Sequence, residues 1–183
     1  MQNNYLQLMI TDSFRVAVEE NLGGVVILAG SGSDEKHIDK VVQEVRRYAL
    51  PVEVRICSAH KQSEDLINLV REYDRLDGQF AYIAVAGGTD ALSGTSSFIS
   101  NRPTISCPPD HPNMSGLTNP LGSSNAYVGR PENVARFVAQ LFSYINSRCN
   151  EMLSEERVRK INKLLQEDGQ LREKYCEVEA IND

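Results

Sequence analysis

A histidine and a lysine stand side by side in Ser58-Ala59-His60-Lys61, directly after the apolar run from Val52 to Cys57. Imidazole takes and returns a proton near neutral pH, and a neighbouring ammonium supplies fixed positive charge for a phosphate or a developing carboxylate. The same pair also fits a plainer role, a loop histidine bonded to a backbone carbonyl beside a solvated lysine. Cys57 lies within reach of His60, either as a nucleophile or as an inert thiol closing a strand. A second stretch, Gly30-Ser31-Gly32-Ser33-Asp34, places glycines and small hydroxyls before a helical pattern. Glycines let backbone approach a ligand, and the unpaired N–H groups of a helix start attract anions, so the loop suits a phosphate. Ser33 or Asp34 acting only as a helix cap explains the loop equally well. A third stretch, Gly87-Gly88-Thr89-Asp90, again follows an apolar run.

These three loops share a position in a repeated unit. Val25 to Ala29 is a short continuous apolar run, the pattern of a strand buried on both faces. After the first loop, Ile38, Val41, Val42, Val45 and Tyr48 recur at helical spacing until Pro51. Val52 to Cys57 is a second strand, with Ser63 as the cap of a helix carrying Leu66, Leu69, Val70 and Tyr73. Phe80 to Ala86 is a third strand, with a helix beginning near Ala91. Pro103 to Cys107 is a fourth, followed by a polar loop from Asp110 to Ser124, and Asn125 to Val128 a fifth. Pro131 opens a helix whose apolar stripe includes Val134, Val138 and Leu141. A charged segment from Ser154 to Tyr175 reads as one more helix with a thin apolar face. Strand and helix alternate, which predicts an α/β fold, a three-layer α/β/α sandwich around a parallel sheet of flavodoxin-like type. Ligands in such sheets bind beyond the carboxyl ends of the strands, which gathers the loops at Gly30, Ser58 and Gly87 into one candidate site. The expected division is an N-terminal extension over 1–23, the α/β domain over 24–150, and a C-terminal helical extension over 151–183.

Other chemistries fit less well. The third glycine of a dinucleotide fingerprint is replaced by Glu35, the second strand ends in Cys57 instead of an acid, and no GxxxxGK[ST] loop occurs. A net charge of −6 argues against broad binding to nucleic acid, while leaving room for a basic pocket that takes an anionic small molecule. Cys57, Cys107, Cys149 and Cys176 are widely spaced and form no CxxC, so reduced thiols are expected. His37, His60 and His111 match no metal-ligand spacing, and no metal is expected. No apolar run reaches membrane-spanning length and the first residues lack a secretory pattern, so the expected setting is the cytoplasm.

Taken together, Gly30-Ser31-Gly32-Ser33-Asp34, Ser58-Ala59-His60-Lys61, Ala86-Gly87-Gly88-Thr89-Asp90-Ala91-Leu92-Ser93-Gly94 and Ser106-Cys107-Pro108-Pro109 resemble the aminoimidazole ribonucleotide carboxylase family, often called PurE, over about residues 24 to 150. The resemblance implies formation of 4-carboxy-5-aminoimidazole ribonucleotide in purine synthesis, a lyase-type reaction without metal, biotin, ATP or other cofactor, in a compact homo-octamer. Lys61 and the Ser-Cys-Pro-Pro segment look like the branch that takes carbon dioxide directly, and Ala91 agrees, since it stands in the place of a histidine typical of the branch that rearranges an N-carboxylated substrate. The resemblance makes His60 the proton shuttle and Lys61 an anion contact. It assigns Ser31, Gly32, Ser33, Asp34 and Ser58 to the ribonucleotide, Gly87 and Gly88 to backbone contact with the carboxylate, and Ser93 to the substrate loop. Two loops depart. Relatives using carbon dioxide typically read Ala-Gly-Arg-Ser-Asn in the third loop, where this chain has Gly88-Thr89-Asp90, and they tend to carry an arginine where Thr118 stands. Those departures keep three alternatives open: another phosphorylated heterocycle as substrate, the mutase reaction, or a non-catalytic nucleotide-binding oligomer.

Overall fold

The computed structural model describes residues 10–176, and its layers follow from where alternate side chains of the central strands point. In β1 (Val25–Ala29) every residue is buried, and so is every residue of β3 (Ala81–Val85). Val25, Ile27 and Ala29 face one side with α2 (Glu35–Arg46) and α5 (Pro131–Phe142), while Val26 and Leu28 face the other with α3 (Ser63–Tyr73) and α4 (Ala91–Ile99). Period-two side chains on strands covered from both sides therefore produce two cores. The sheet is parallel throughout, in the order β2 (Val52–Ile56), β1, β3, β4 (Thr104–Ser106), β5 (Ala126–Tyr127). That is the flavodoxin-like order, which reverses direction between β1 and β3 and leaves a crevice at their carboxyl ends.

Three features differ from the sequence reading. The second strand, read in the sequence as an apolar run, forms a sheet edge as β2, with Val54 and Ile56 substantially exposed. Its one deeply buried acid, Glu53, accepts hydrogen bonds from the Thr11 amide at 2.7 Å and from the Tyr73 hydroxyl. Residues before 24 also do more than extend the domain. Thr11 caps α1 (Asp12–Glu19), and Phe14 and Val18, one turn apart, enter the same core as α3, with Phe14 edge-on to Tyr73 and Phe80. The part of that segment before residue 10 lies outside the described residues. The turn at Gly78 locks this packing: its φ is +134°, and a Cβ there would stand 2.0 Å from the Val18 carbonyl oxygen.

The last helix, α6 (Ser147–Cys176), begins earlier than expected, with Cys149 and Leu153 buried against the α2 and α5 side of the sheet. One carboxylate pins it. Glu156 accepts from Arg136 at 2.6 Å, from Lys160 at 2.7 Å and from the Tyr48 hydroxyl. Burial works to raise the pKa of Glu156, but hydrogen bonds from Lys160, Tyr48 and Arg136 outweigh it and hold the group at about 2, below its ordinary 4.5. A carboxylate depressed in the folded state stabilises fully above its unfolded pKa and loses that contribution as pH falls through the folded one. The wild type is therefore expected to exceed Glu156→Gln in stability by about 2 kcal/mol at pH 6, with the gap closing between about pH 4.5 and pH 2. Urea titrations of both proteins across that range check it, and a pH-independent gap would refute the assignment.

Candidate active site

The carboxyl ends of β1, β2 and β3 open onto a pocket of about 330 Å³ lined by Gly30, Ser31, Ser33, Asp34, Ser58, Ala59, His60, Lys61, Ala86, Gly87, Thr89 and Leu92. A volume at the lower end of small-ligand sites suits a mononucleotide-sized molecule better than a dinucleotide. Each wall is a strand-to-helix loop, and each loop is held by its own local bonds.

On the first wall the Gly30 amide donates to the Val85 carbonyl at 2.9 Å, which ties the loop to the neighbouring strand. Ser31 caps a short 3-10 turn over Gly32–Asp34: its Oγ accepts from the Ser33 amide at 3.1 Å and lies 2.8 Å from the Ser33 hydroxyl. Asp34 occupies the N-cap position of α2, yet its side chain makes no capping bond. Helix capping therefore does not account for this carboxylate, which stands on the pocket wall.

The second wall is a tight turn. Gln62 N–H donates to the Ser58 carbonyl at 2.8 Å, the Ser58 amide donates to Gln62 Oε1 at 3.3 Å, and the Ser63 hydroxyl donates to the Ala59 carbonyl at 2.7 Å. These bonds fix the backbone and leave His60 and Lys61 exposed on the wall. Among the described residues neither side chain has a hydrogen-bond or ion-pair partner, so the carbonyl-bonded histidine of the plainer reading is absent here. Among the described residues Lys61 is the only side chain of fixed positive charge on the pocket wall. Cys57, just before this turn, is fully buried, with its thiol directed at the Gln62 carbonyl and burial raising its pKa. Such a thiol packs; it does not attack.

The third wall places Gly88 and Ser93 off the pocket lining. Gly88 (φ +70°) donates its amide to Asp110 Oδ2 at 3.0 Å and accepts from the Ser115 hydroxyl at 3.1 Å, so this amide is already engaged and Gly88 does not line the pocket. Gly87 does line it. Ser93 is fully buried inside α4, where its hydroxyl donates to Asp90 at 2.7 Å. Gly32, assigned to the ribonucleotide, lies at the exposed tip of its turn, off the wall. Asp90 itself turns inward, 2% exposed, and its Oδ1 caps α4 by accepting from the Ser93 amide at 2.9 Å. Thr118 stands in a separate groove with Phe98 and Leu121, its hydroxyl donating to the Ser115 carbonyl.

The residues that sequence reasoning missed sit in the polar loop after β4. Asp110, Asn113 and Ser115 brace the glycine loop: Asn113 donates to Asp110 at 2.8 Å and accepts from Ser115 at 2.6 Å, and Ser115 receives the Asp90 amide at 2.9 Å. The bonds from Asn113 and Gly88 hold the Asp110 carboxyl below its usual range. Short polar side chains that bond backbone were the available signal. His37 is half-buried and donates from Nε2 to the Cys107 carbonyl at 3.1 Å, with burial lowering its pKa.

Comparison with known proteins matches this geometry to one family. The family model described as AIR carboxylase matches residues 24–163. A phosphoribosylaminoimidazole carboxylase of Treponema denticola is 32% identical over 154 residues, covering 81% of this chain and 97% of the relative. The crystal structure of Treponema denticola PurE superposes with a TM-score of 0.77 at 32% identity, covering 81% of this chain and 98% of that one. A bifunctional phosphoribosylaminoimidazole carboxylase/phosphoribosylaminoimidazole succinocarboxamide synthetase of Drosophila melanogaster is 36% identical over 147 residues, and there the match spans only 34% of the longer relative.

Proposed function

This chain belongs to the AIR carboxylase family, and we propose that it is a phosphoribosylaminoimidazole carboxylase of purine biosynthesis, joining aminoimidazole ribonucleotide and carbon dioxide reversibly. The observation that carries this reading is the pairing of His60 and Lys61, both without partners among the described residues, on the wall of a pocket whose facing loop offers Ser31, Ser33 and Asp34. In the forward direction the electron-rich imidazole C4 attacks the carbon of carbon dioxide. A C–C bond forms, one C=O π pair becomes a carboxylate lone pair, and C4 is left tetrahedral with its hydrogen still attached. His60 then accepts that proton, and the C–H electron pair restores the aromatic ring. In reverse, His60 protonates C4 before carbon dioxide leaves with the C–C bond electrons returning to the ring.

In this reading Lys61 holds an anionic group, Ser31, Ser33 and Ser58 bond the phosphate and ribose, and Asp34 accepts from a ribose hydroxyl. The Gly87 backbone flanks the carboxylate. Assembly as a homo-octamer and work in the cytoplasm belong to the same reading; among the described residues no helix is long and apolar enough to cross a membrane. One observation favours a second reading. A pocket whose single fixed cation among the described residues is Lys61 holds a phosphate and a carboxylate less tightly than an arginine-bearing one, which favours a related substrate with less negative charge.

The test is decarboxylation of 4-carboxy-5-aminoimidazole ribonucleotide, followed by ultraviolet absorbance without added ATP. Rapid loss of absorbance, and its reversal under carbon dioxide, is the expected result. No turnover from folded, ligand-saturated protein would rule out this substrate and move the assignment to the second reading. Activity only with the N-carboxylated isomer would instead identify the mutase.

A further inference from the structure

His37 ties the first wall of the pocket to the strap behind the third. It sits in the first turn of α2, just past Asp34 on the pocket wall, and its Nε2 donates to the Cys107 carbonyl at 3.1 Å. Cys107 is fully buried at the end of β4, and among the described residues its carbonyl takes no other hydrogen bond. A buried carbonyl left without a donor is costly, so this bond fixes the helix start against the strand end. Among the described residues no other side chain from Glu35 to Ile38 bonds to another element. Beyond Cys107 the chain runs through Pro108 and Pro109, whose rings fix φ, to Asp110. Asp110 Oδ2 accepts the Gly88 amide at 3.0 Å, and a Cβ on Gly87 would stand 3.5 Å from Pro109 and 3.6 Å from Asp110. The strap therefore lies directly against the glycine loop, and its stiffness carries the position of the Cys107 carbonyl to that loop within three residues.

We propose that His37 is a positioning residue, setting the separation between the loop that holds the ribonucleotide and the loop that flanks the carboxylate. What the two loops hold rests on the carboxylase reading; the linkage between them stands on the contacts above. His37 does not line the pocket, so it acts through Cys107 and Asp110 and touches no reacting atom. A substrate gripped at both ends reacts only when the two grips keep their spacing, because a misplacement of about 1 Å costs up to about a hundredfold in rate. Binding is less demanding, since either loop can close on its own end of the ligand. The loss of His37 therefore falls on kcat more than on KM.

Two variants separate the hydrogen bond from the space the ring fills. His37→Leu keeps most of the volume and removes the donor, whereas His37→Gln carries an amide N–H at nearly the reach of Nε2. Hydrogen exchange, read by mass spectrometry on the peptide spanning Gly87 to Asp90, needs no substrate. There the Gly88 and Asp90 amides are bonded to Asp110 and Ser115. Their exchange should quicken about tenfold in His37→Leu and return to the wild-type rate in His37→Gln, with the Gly30 amide unchanged in both. With 4-carboxy-5-aminoimidazole ribonucleotide, well below the unfolding midpoint, kcat should fall about tenfold in His37→Leu and KM stay within about threefold, and His37→Gln should recover most of the rate. Unchanged exchange at Gly88 would overturn the linkage, whether or not the protein decarboxylates this substrate. A folded His37→Leu with quickened exchange and undiminished kcat would make the bond structural only and overturn the positioning role. If the wild type shows no turnover, the carboxylase reading fails and the exchange rates alone decide the linkage.

Discussion

His60→Asn is expected to lower turnover of 4-carboxy-5-aminoimidazole ribonucleotide by about a thousandfold while the protein stays folded and still binds the nucleotide. Asparagine fills much of the imidazole's space and can hydrogen-bond, but it cannot take or return a proton. Because His60 is exposed and has no hydrogen-bond partner among the described residues, its replacement removes no packing, and the thermal midpoint should move by no more than about 1 °C. Ligand-induced stabilisation should persist, since Lys61 and the Ser31 loop are untouched. Steady-state rates with thermal shifts on the same samples separate the outcomes. A variant keeping half the wild-type rate would remove His60 from the proton-transfer step. One that lost ligand stabilisation in proportion to rate would make His60 a binding group instead.

The lines of this site that were legible in the sequence are those a short local pattern controls. Apolar strand patterns ending at Gly30, Ser58 and Gly87 located three strand ends, and a parallel sheet must bring neighbouring strand ends together. What the sequence left hidden depends on side chains meeting across long separations. Asp110 reaches Gly88 from 22 residues away, and Tyr73 and Thr11 meet on Glu53 from opposite directions along the chain. The apolar alternation of β2 gave no sign that the strand would be an edge, because edge position is set by strand order, which local pattern does not encode. Phe14 and Val18 fall in the stretch read only as an N-terminal extension, but two large side chains one turn apart suffice when Tyr73 and Phe80 supply the rest of the cluster.

Asp90 is where local reading and structure diverge most, and it carries the largest stability prediction. Placed after two glycines at a strand end, a carboxylate invites assignment to the pocket, where it would repel a carboxylated substrate. Instead its Oδ1 accepts the Ser93 amide, its Oδ2 accepts the hydroxyls of Ser93 and Ser106, and Gly116 packs so closely that a Cβ there would stand 2.8 Å from Oδ2. Removing the carboxylate in Asp90→Ala strands two buried hydroxyls and an amide and deletes the cap of α4. The expected cost is about 3 to 4 kcal/mol in urea unfolding at pH 7. Asp90→Asn, which keeps one acceptor oxygen, should cost roughly half as much. A loss below about 1 kcal/mol for the alanine variant would show that the network contributes little. The consequence reaches the chemistry. With Asp90 folded inward, the third loop adds no anion at the pocket wall. Asp90→Asn, where it remains folded, should therefore leave the affinity for the ribonucleotide nearly unchanged. If affinity instead rose severalfold, the buried charge would be acting on the pocket through the protein, and the electrostatic cost of this departure would be larger than its geometry implies.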